Sequence, residues 1–181
     1  EIRNNKEIVL IAVANNGNEL KYASDKLKKD REVVLTATNT GKSMGFFSNE
    51  SIKYVDKSFL SDFEIARVAV SLSGNSLQYF ADEIRQDKDI VSIAVNNSPG
   101  ALEFADKSLL SDKDFILSLW DGWSISFRAF SILGDKLKKD HDIVTKAIYA
   151  IVVGSMAANY GAEAVSSLSK SDWFSSSLSA L

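Results

Sequence analysis

The sequence predicts an all-α solenoid: about six stacked short helical hairpins followed by a C-terminal capping helix. Three observations predict it. A helix-capping Asp or Asn recurs at 5, 30, 62, 87, 112 and 140. Each cap is followed by apolar residues at helical spacing. A glycine-containing break then leads to a second apolar segment, which lines up when counted backwards from the next cap. The stretch from Asp87 to Asp112 shows one whole unit of about 25 residues, with the break at Asn96-Asn97-Ser98-Pro99-Gly100.

The first helix of each unit starts at Asn5, Asp30, Asp62, Asp87, Asp112 or Asp140. The side-chain oxygen of such a residue accepts from a backbone N–H left unpaired in the first helical turn. Two residues on stand Glu7, Glu32, Glu64, Asp89, Asp114 and Asp142, where a negative charge meets the positive end of the helix dipole. Three residues after the cap come Ile8, Val33, Ile65, Ile90, Phe115 and Ile143. Seven after come Ala12, Ala37, Ala69, Ala94 and Ala147, with Leu119 as the exception. Apolar residues at 3, 4, 7 and 8 share one face, and alanine at 7 admits a neighbouring helix closely.

Gly17, Gly41, Gly74, Gly100, Gly122 and Gly154 follow the first helices and are expected to end them in a left-handed conformation. In the second segments, Leu20, Ile52, Leu77, Leu102 and Phe130 stand ten residues before the next cap. Tyr22, Tyr54, Tyr79, Phe104 and Ile132 stand eight before, and Leu27, Phe59, Ile84, Leu109 and Leu137 three before. A spacing of two and then five predicts one face of a second α-helix. The six residues Asp25 to Asp30 recur unchanged as Asp135 to Asp140.

The caps lie 25, 32, 25, 25 and 28 residues apart. The predicted repeats are therefore 5–29, 30–61, 62–86, 87–111, 112–139 and 140–170, within a single domain 1–181. Repeat two carries an insertion around Asn39 to Asn49, and repeat five a shorter one around Trp120 to Phe127. After Asp140 the pattern loosens into small residues, and Ser171 or Asp172 caps a last helix, 171–181, bearing Trp173, Phe174, Leu178 and Leu181. One hairpin cannot bury its own apolar face, so stability is expected to come from stacking on its neighbours.

Lys-Glu-Ile-Val-Leu-Ile-Ala-Val at 6–13, Gly17, Leu20, Lys-Tyr-Ala-Ser at 21–24 and Arg-Glu-Val-Val-Leu at 31–35 carry a family resemblance. They resemble an uncharacterised domain of tandem short helical repeats, found in large proteins of bacteria and protists, including intracellular pathogens. The likeness covers residues 5 to about 150 and is most specific in repeats one, three and four; repeats two, five and six depart from it in their turns. It implies a repeat array within a multi-domain protein and points to a secreted bacterial effector. It brings no assigned activity, cofactor or catalytic residue, so no site is carried over.

Composition narrows the function classes. At 181 residues one domain can bury roughly 70% of its unfolded surface. A net charge of −3 supplies none of the basic excess that nucleic-acid binding uses, so no nucleic-acid partner is expected. The absence of cysteine excludes disulfides, thiolate catalysis and thiolate metal sites, and fits a reducing, cytoplasmic compartment, or the host cytosol for an effector. The longest apolar run, Ala147 to Ala158, is broken by Gly154 and Ser155 and falls short of the roughly 20 residues that span a bilayer, so no membrane insertion is expected. Glu1 already lies inside a repeat, and the expectation is a fragment of a longer protein.

Chemistry-bearing motifs are few. Gly41-Lys42-Ser43 has the ending of a phosphate-binding loop, but Thr36 stands where that loop needs glycine, and a helix precedes it in place of a strand. The repeated acids read as helix caps rather than paired catalytic carboxylates. His141, the one histidine, reads as an exposed residue at a helix start, and neither a catalytic triad nor a histidine ligand set can be built from it. Lys28-Lys29 and Lys138-Lys139 stand just before caps, where they suit the negative ends of helices. No catalytic residue, cofactor or metal is expected, and the chain is not expected to be an enzyme. Phe46 and Phe47 in the first insertion, and Trp120, Trp123 and Arg128 at the second, are the candidate partner-binding residues. Insertions project from one face of a solenoid, and Trp and Arg are enriched among interface hot spots. The expected function is a non-catalytic protein-interaction scaffold whose partner is another protein or peptide. The alternative is a structural spacer or accessory domain of a larger protein with its activity elsewhere.

Overall fold

The computed structural model describes residues 1–40, 51–119 and 127–148, the side chains of 127–129 excepted, and every regular element among them is helical. The α-helices are α1 (Lys6–Asn15), α2 (Arg31–Asn39), α3 (Phe63–Leu72), α4 (Asp82–Arg85), α5 (Lys88–Asn97), α6 (Lys113–Leu119) and α7 (Phe127–Ile132). Residues 141–148 are also α-helical.

Every expected cap makes its hydrogen bond. Asn5 accepts from the Ile8 N–H, Asp87 from Ile90 and Asp112 from Phe115. Asp30, Asp62 and Asp140 each accept from two N–H groups, those of Glu32 and Val33, Glu64 and Ile65, and Asp142 and Ile143. The short first helices thus start where a side chain satisfies backbone donors that water would otherwise have to serve.

In repeat five the second segment is α-helical at Phe127–Ile132, as expected, but the other four differ. They are 3₁₀ turns: Gly17–Tyr22, Ser51–Tyr54, Gly74–Tyr79 and Pro99–Phe104. Ala23, Phe80 and Ala105 follow three of them in extended conformation, with ψ of 157°, 158° and 155°. A further short turn then leads to the next cap, as at Leu27–Lys29 and in α4. The buried row accordingly lies ten, seven and three residues before the cap: Leu20, Ala23 and Leu27, then Leu77, Phe80 and Ile84. The first step, of three, is one turn of 3₁₀ helix. The aromatic residues eight before the cap leave that row, and Tyr22 is 57% exposed.

The extended break has a constant consequence. It turns the following N–H towards the preceding repeat, onto the carbonyl two residues before that repeat's closing cap. Ser24 donates to Arg3, Asp56 to Lys28, Ala81 to Leu60 and Asp106 to Arg85, at 2.8, 3.2, 2.9 and 3.0 Å. A backbone donor that an α-helix would have kept inside one repeat therefore ties two repeats together, and buried backbone groups stay paired.

Contacts divide the chain into two compact units, Glu1–Asp106 and Lys107–Leu181. In the first, α1 packs on α2, α2 on α3 and α3 on α5, while each second segment packs on the next. The expected face at 3, 4, 7 and 8 after the cap is fully used in Val33, Val34, Ala37 and Thr38, in Ile65, Ala66, Ala69 and Val70, and in Ile90, Val91, Ala94 and Val95, all buried. Each of the valines and isoleucines among them contributes about 1.5–3 kcal/mol by leaving water. In repeat one Val9 and Val13 are buried, but Ile8, expected on the same face, is 43% exposed. No preceding first helix covers it among the described residues.

In the second unit, α6 begins after Asp112 and buries Phe115, Ile116 and Leu119. The Gly134 N–H donates to the Leu110 carbonyl at 3.2 Å, the same inter-repeat bond as in the first unit.

The expected left-handed helix ends are corrected at Gly17, Gly74 and Gly100; α1 ends on extended Asn16, and Gly17 opens the next 3₁₀ turn. Neither Gly74 nor Gly100 has a positive φ; α3 and α5 instead end on extended Ser73 and Ser98. Gly74 is glycine for lack of room. A Cβ there would stand 2.1 Å from the Ala94 carbonyl oxygen, because α5 passes against the backbone at the end of α3. At Gly100 nothing lies within 4 Å of such a Cβ.

Candidate binding surface

Two arrays run along the repeats of the first unit, one of charge and one of aromatic rings. The charged array starts at the residue right after each cap. Lys6 reaches Asp30 at 2.7 Å and Glu32 at 2.9 Å in the following repeat. Arg31 bridges Asp62 and Glu64 in the repeat after that. In the second unit Lys113 spans Asp140 at 2.9 Å and Asp142 at 2.6 Å. Each carboxylate thus serves both its own helix and the neighbouring repeat. The Lys6 ammonium, and less strongly the backbone N–H of Val33 and Glu32, holds the Asp30 carboxyl below its ordinary value. Arg31 does the same to Asp62, and Lys113 to Asp140 and Asp142. In turn the acids push Lys6, Arg31 and Lys113 upward.

The sequence reading found the acids and missed their cationic partners. The signal was present, since Lys6, Arg31, Lys88 and Lys113 all directly follow a cap. Phe63 takes that place in repeat three and is half exposed.

Polar side chains also close the helix C-termini across repeats. Thr40 donates its hydroxyl to the Val13 carbonyl at 2.7 Å. Asn97 accepts from the Gly74 N–H at 2.8 Å and donates to the Ser71 carbonyl at 3.0 Å. Both residues stand ten after their caps, so each repeat finishes the helix of the one before it. These groups are occupied with architecture and are not free for chemistry.

The aromatic array lies off the buried row, although Tyr54 packs against the core around Val9, Val13 and Leu20. Tyr22, Tyr54, Tyr79 and Phe104 occupy one position in four successive second segments, which pack neighbour on neighbour. Tyr22 is exposed, and the other three are half-buried. Lysines interleave them: Lys21 lies 4.5 Å from the Tyr22 ring centre and Lys53 5.5 Å from that of Tyr79. Lys21 is also within electrostatic reach of Tyr54 and Glu19. A ring with an ammonium over its face offers apolar area and a charge together.

The candidate partner-binding residues Phe46, Phe47, Trp120 and Trp123 lie outside the described residues, as does the Gly41-Lys42-Ser43 segment. Arg128 falls within α7, its side chain outside them. His141 is where it was expected, at a helix start and 67% exposed, 3.8 Å from Asp142. Of the paired lysines, Lys29 reaches Asp56 at 3.6 Å and Lys138 reaches Asp135 at 3.9 Å. Among the described residues no three carboxylates or histidines are grouped to hold a metal, and no helix is long and apolar enough to cross a membrane.

A family described as a domain of unknown function, DUF4116, matches residues 5–53, 48–85 and 87–119 in tandem. No curated protein and no solved structure matches the chain.

Proposed function

From the premise that this chain belongs to the DUF4116 family of unknown function, we propose that it is a non-catalytic binding module. In this reading its repeats continue as an α-solenoid that presents an extended surface to another protein or peptide. The observation that carries the reading is the row Tyr22, Tyr54, Tyr79 and Phe104. These aromatic rings recur at every repeat of the first unit, yet lie off the buried row. Tyr54 also packs on the core, but the aromatic area the row leaves accessible, most of all at Tyr22, is what interfaces use when a rigid scaffold holds it. Phe46, Phe47, Trp120, Trp123 and Arg128 extend the proposed contact set through the two insertions. The compartment we assign is reducing, since the chain carries no cysteine.

The second reading, a structural spacer or accessory domain serving an activity elsewhere in a larger protein, draws support from a different observation. The backbone bonds and ion pairs between successive repeats, such as Ala81 to Leu60 and Lys6 to Asp30, are suited to holding length and shape.

Affinity capture from a cell lysate separates the two. The parent chain is compared with Tyr22→Ala/Tyr79→Ala and Trp120→Ala/Trp123→Ala variants, after circular dichroism has matched their helicity and melting. Loss of a specific protein by a well-folded variant supports the binding module and locates its surface. Retention of the same protein by both variants removes these residues from the surface. No specific protein on any of the three favours the spacer.

A further inference from the structure

Building on the binding-module reading, we infer that the row Tyr22, Tyr54, Tyr79 and Phe104 takes an extended peptide in polyproline II conformation, rich in proline and carrying acidic residues. The four rings stand in second segments that pack neighbour on neighbour within the first unit. Packed helical segments lie about 8–10 Å apart, so the row presents one ring at about that interval. A polyproline II strand has about three residues per turn and rises about 3.1 Å per residue. Every third side chain therefore advances about 9 Å on one face, and that face keeps step with the rings. A β-strand repeats a face about every 6.6 Å and falls out of step. Proline is apolar and already fixed near this conformation, so little entropy is lost when it settles on an aromatic face.

Charge complementarity supplies the acids. Lys21 and Lys53 directly precede Tyr22 and Tyr54, and both are exposed. Their ammonium groups lie 4.5 Å from the Tyr22 ring centre and 5.5 Å from that of Tyr79. Gln78 and Glu103 hold the same place before Tyr79 and Phe104. The row is thus cationic along its first three rings and loses that charge towards Phe104, which matches a peptide with its acids at one end. Rings interleaved with lysines also suit a single-stranded nucleic acid. Such a strand carries a phosphate at every nucleotide, and this chain meets it with a net charge of −3 and with Glu103 in the row. Glu19, within electrostatic reach of Lys21, adds to that repulsion. A peptide with a few carboxylates at one end avoids it.

Fluorescence anisotropy of a labelled peptide tests this on the full chain. The probe is two Pro-Pro-Glu triplets followed by two Pro-Pro-Gln triplets, long enough to pass all four rings at about 3.1 Å per residue. It should bind about tenfold or more tighter than the same peptide with Gly-Ser in place of each Pro-Pro, and than the one with Lys in place of each Glu. Tyr22→Ala/Tyr79→Ala, matched to the parent in helicity and melting, should weaken binding about tenfold or more. Tyr22→Ala alone, at an exposed position, should weaken it in the same direction without disturbing the fold. Lys21→Glu/Lys53→Glu should reverse the preference between the Glu and Lys peptides. Equal binding of the flexible peptide, unchanged affinity in Tyr22→Ala, or tighter binding of an oligothymidine of the same number of units overturns the inference. So does failure to bind the probe by a chain that still captures a protein through Tyr22 and Tyr79, a result that leaves the binding module standing. Failure of both probe binding and protein capture overturns the two together.

Discussion

Single residues in this protein are chosen by what the neighbouring repeat requires, and glycine shows it. Gly74 stands first and Gly100 second in their second segments, and both were expected to form a left-handed helix end. Neither has a positive φ, and only Gly74 is crowded. Glycine is legible as punctuation, but the close approach of a distant backbone is not local information. The pair yields opposite expectations. Gly74→Ala should destabilise by about 1–3 kcal/mol, the usual cost of forcing atoms into a filled space, since the Ala94 carbonyl oxygen it would strike at 2.1 Å is backbone. Gly100→Ala should be neutral or stabilising by about 0.4–1 kcal/mol, because the unfolded chain loses freedom and the folded one loses nothing. Urea denaturation of both variants checks this, and an equal loss in both would contradict the crowding argument.

At the scale of elements, the first helices were legible and the 3₁₀ second segments of the first four repeats were not, for a physical reason. A helix cap is encoded in a side chain, so Asp30, Asp62, Asp87, Asp112 and Asp140 could be read off and each makes its bond. The second segments depend on where a backbone N–H goes. Leu20, Tyr22 and Leu27 fit an α-helical face by spacing, but extended Ala23 breaks the segment and the Ser24 N–H leaves for Arg3. A six-residue segment gains too little from α-helical propagation to resist that competition. The carboxylates that start the first helices also set the response to acid. Asp30, Asp62 and Asp140 are held below their ordinary value by Lys6, Arg31 and Lys113. A carboxyl with a depressed folded pKa adds stability above its unfolded value near 3.9, and that stability is lost as pH falls through the lower folded value. The melting temperature should therefore hold steady from pH 7 to about 5 and fall below about 4. Arg31→Met should lower it at pH 7 and flatten the acid fall, because Asp62 then loses the largest cause of its depression. An acid fall as steep in Arg31→Met as in the parent would place the effect elsewhere.

Across the first unit as a whole, position within the stack sets what a given contact contributes. Stacked repeats bury surface mainly against their immediate neighbours, so stability is close to a sum of repeat and interface contributions. Ile8, Ile65 and Ile90 are the same residue at the same place in repeats one, three and four, and differ in neighbours alone. Ile65 and Ile90 are 0% exposed, while Ile8 is 43% exposed. Truncating either buried isoleucine removes apolar contact and leaves a cavity, at a cost of about 2–5 kcal/mol. Ile8→Ala removes a side chain that is already partly in water and is surrounded on one side only, so it should cost no more than about 1 kcal/mol. Denaturant titration of the three variants in the full chain measures the difference directly. The repeat pattern in the sequence made these three positions equivalent, and only the packing distinguishes them. Equal losses at all three would contradict the exposure of Ile8. A small loss at Ile8 beside large ones at Ile65 and Ile90 would establish that the neighbouring helix, not the residue, supplies the stability.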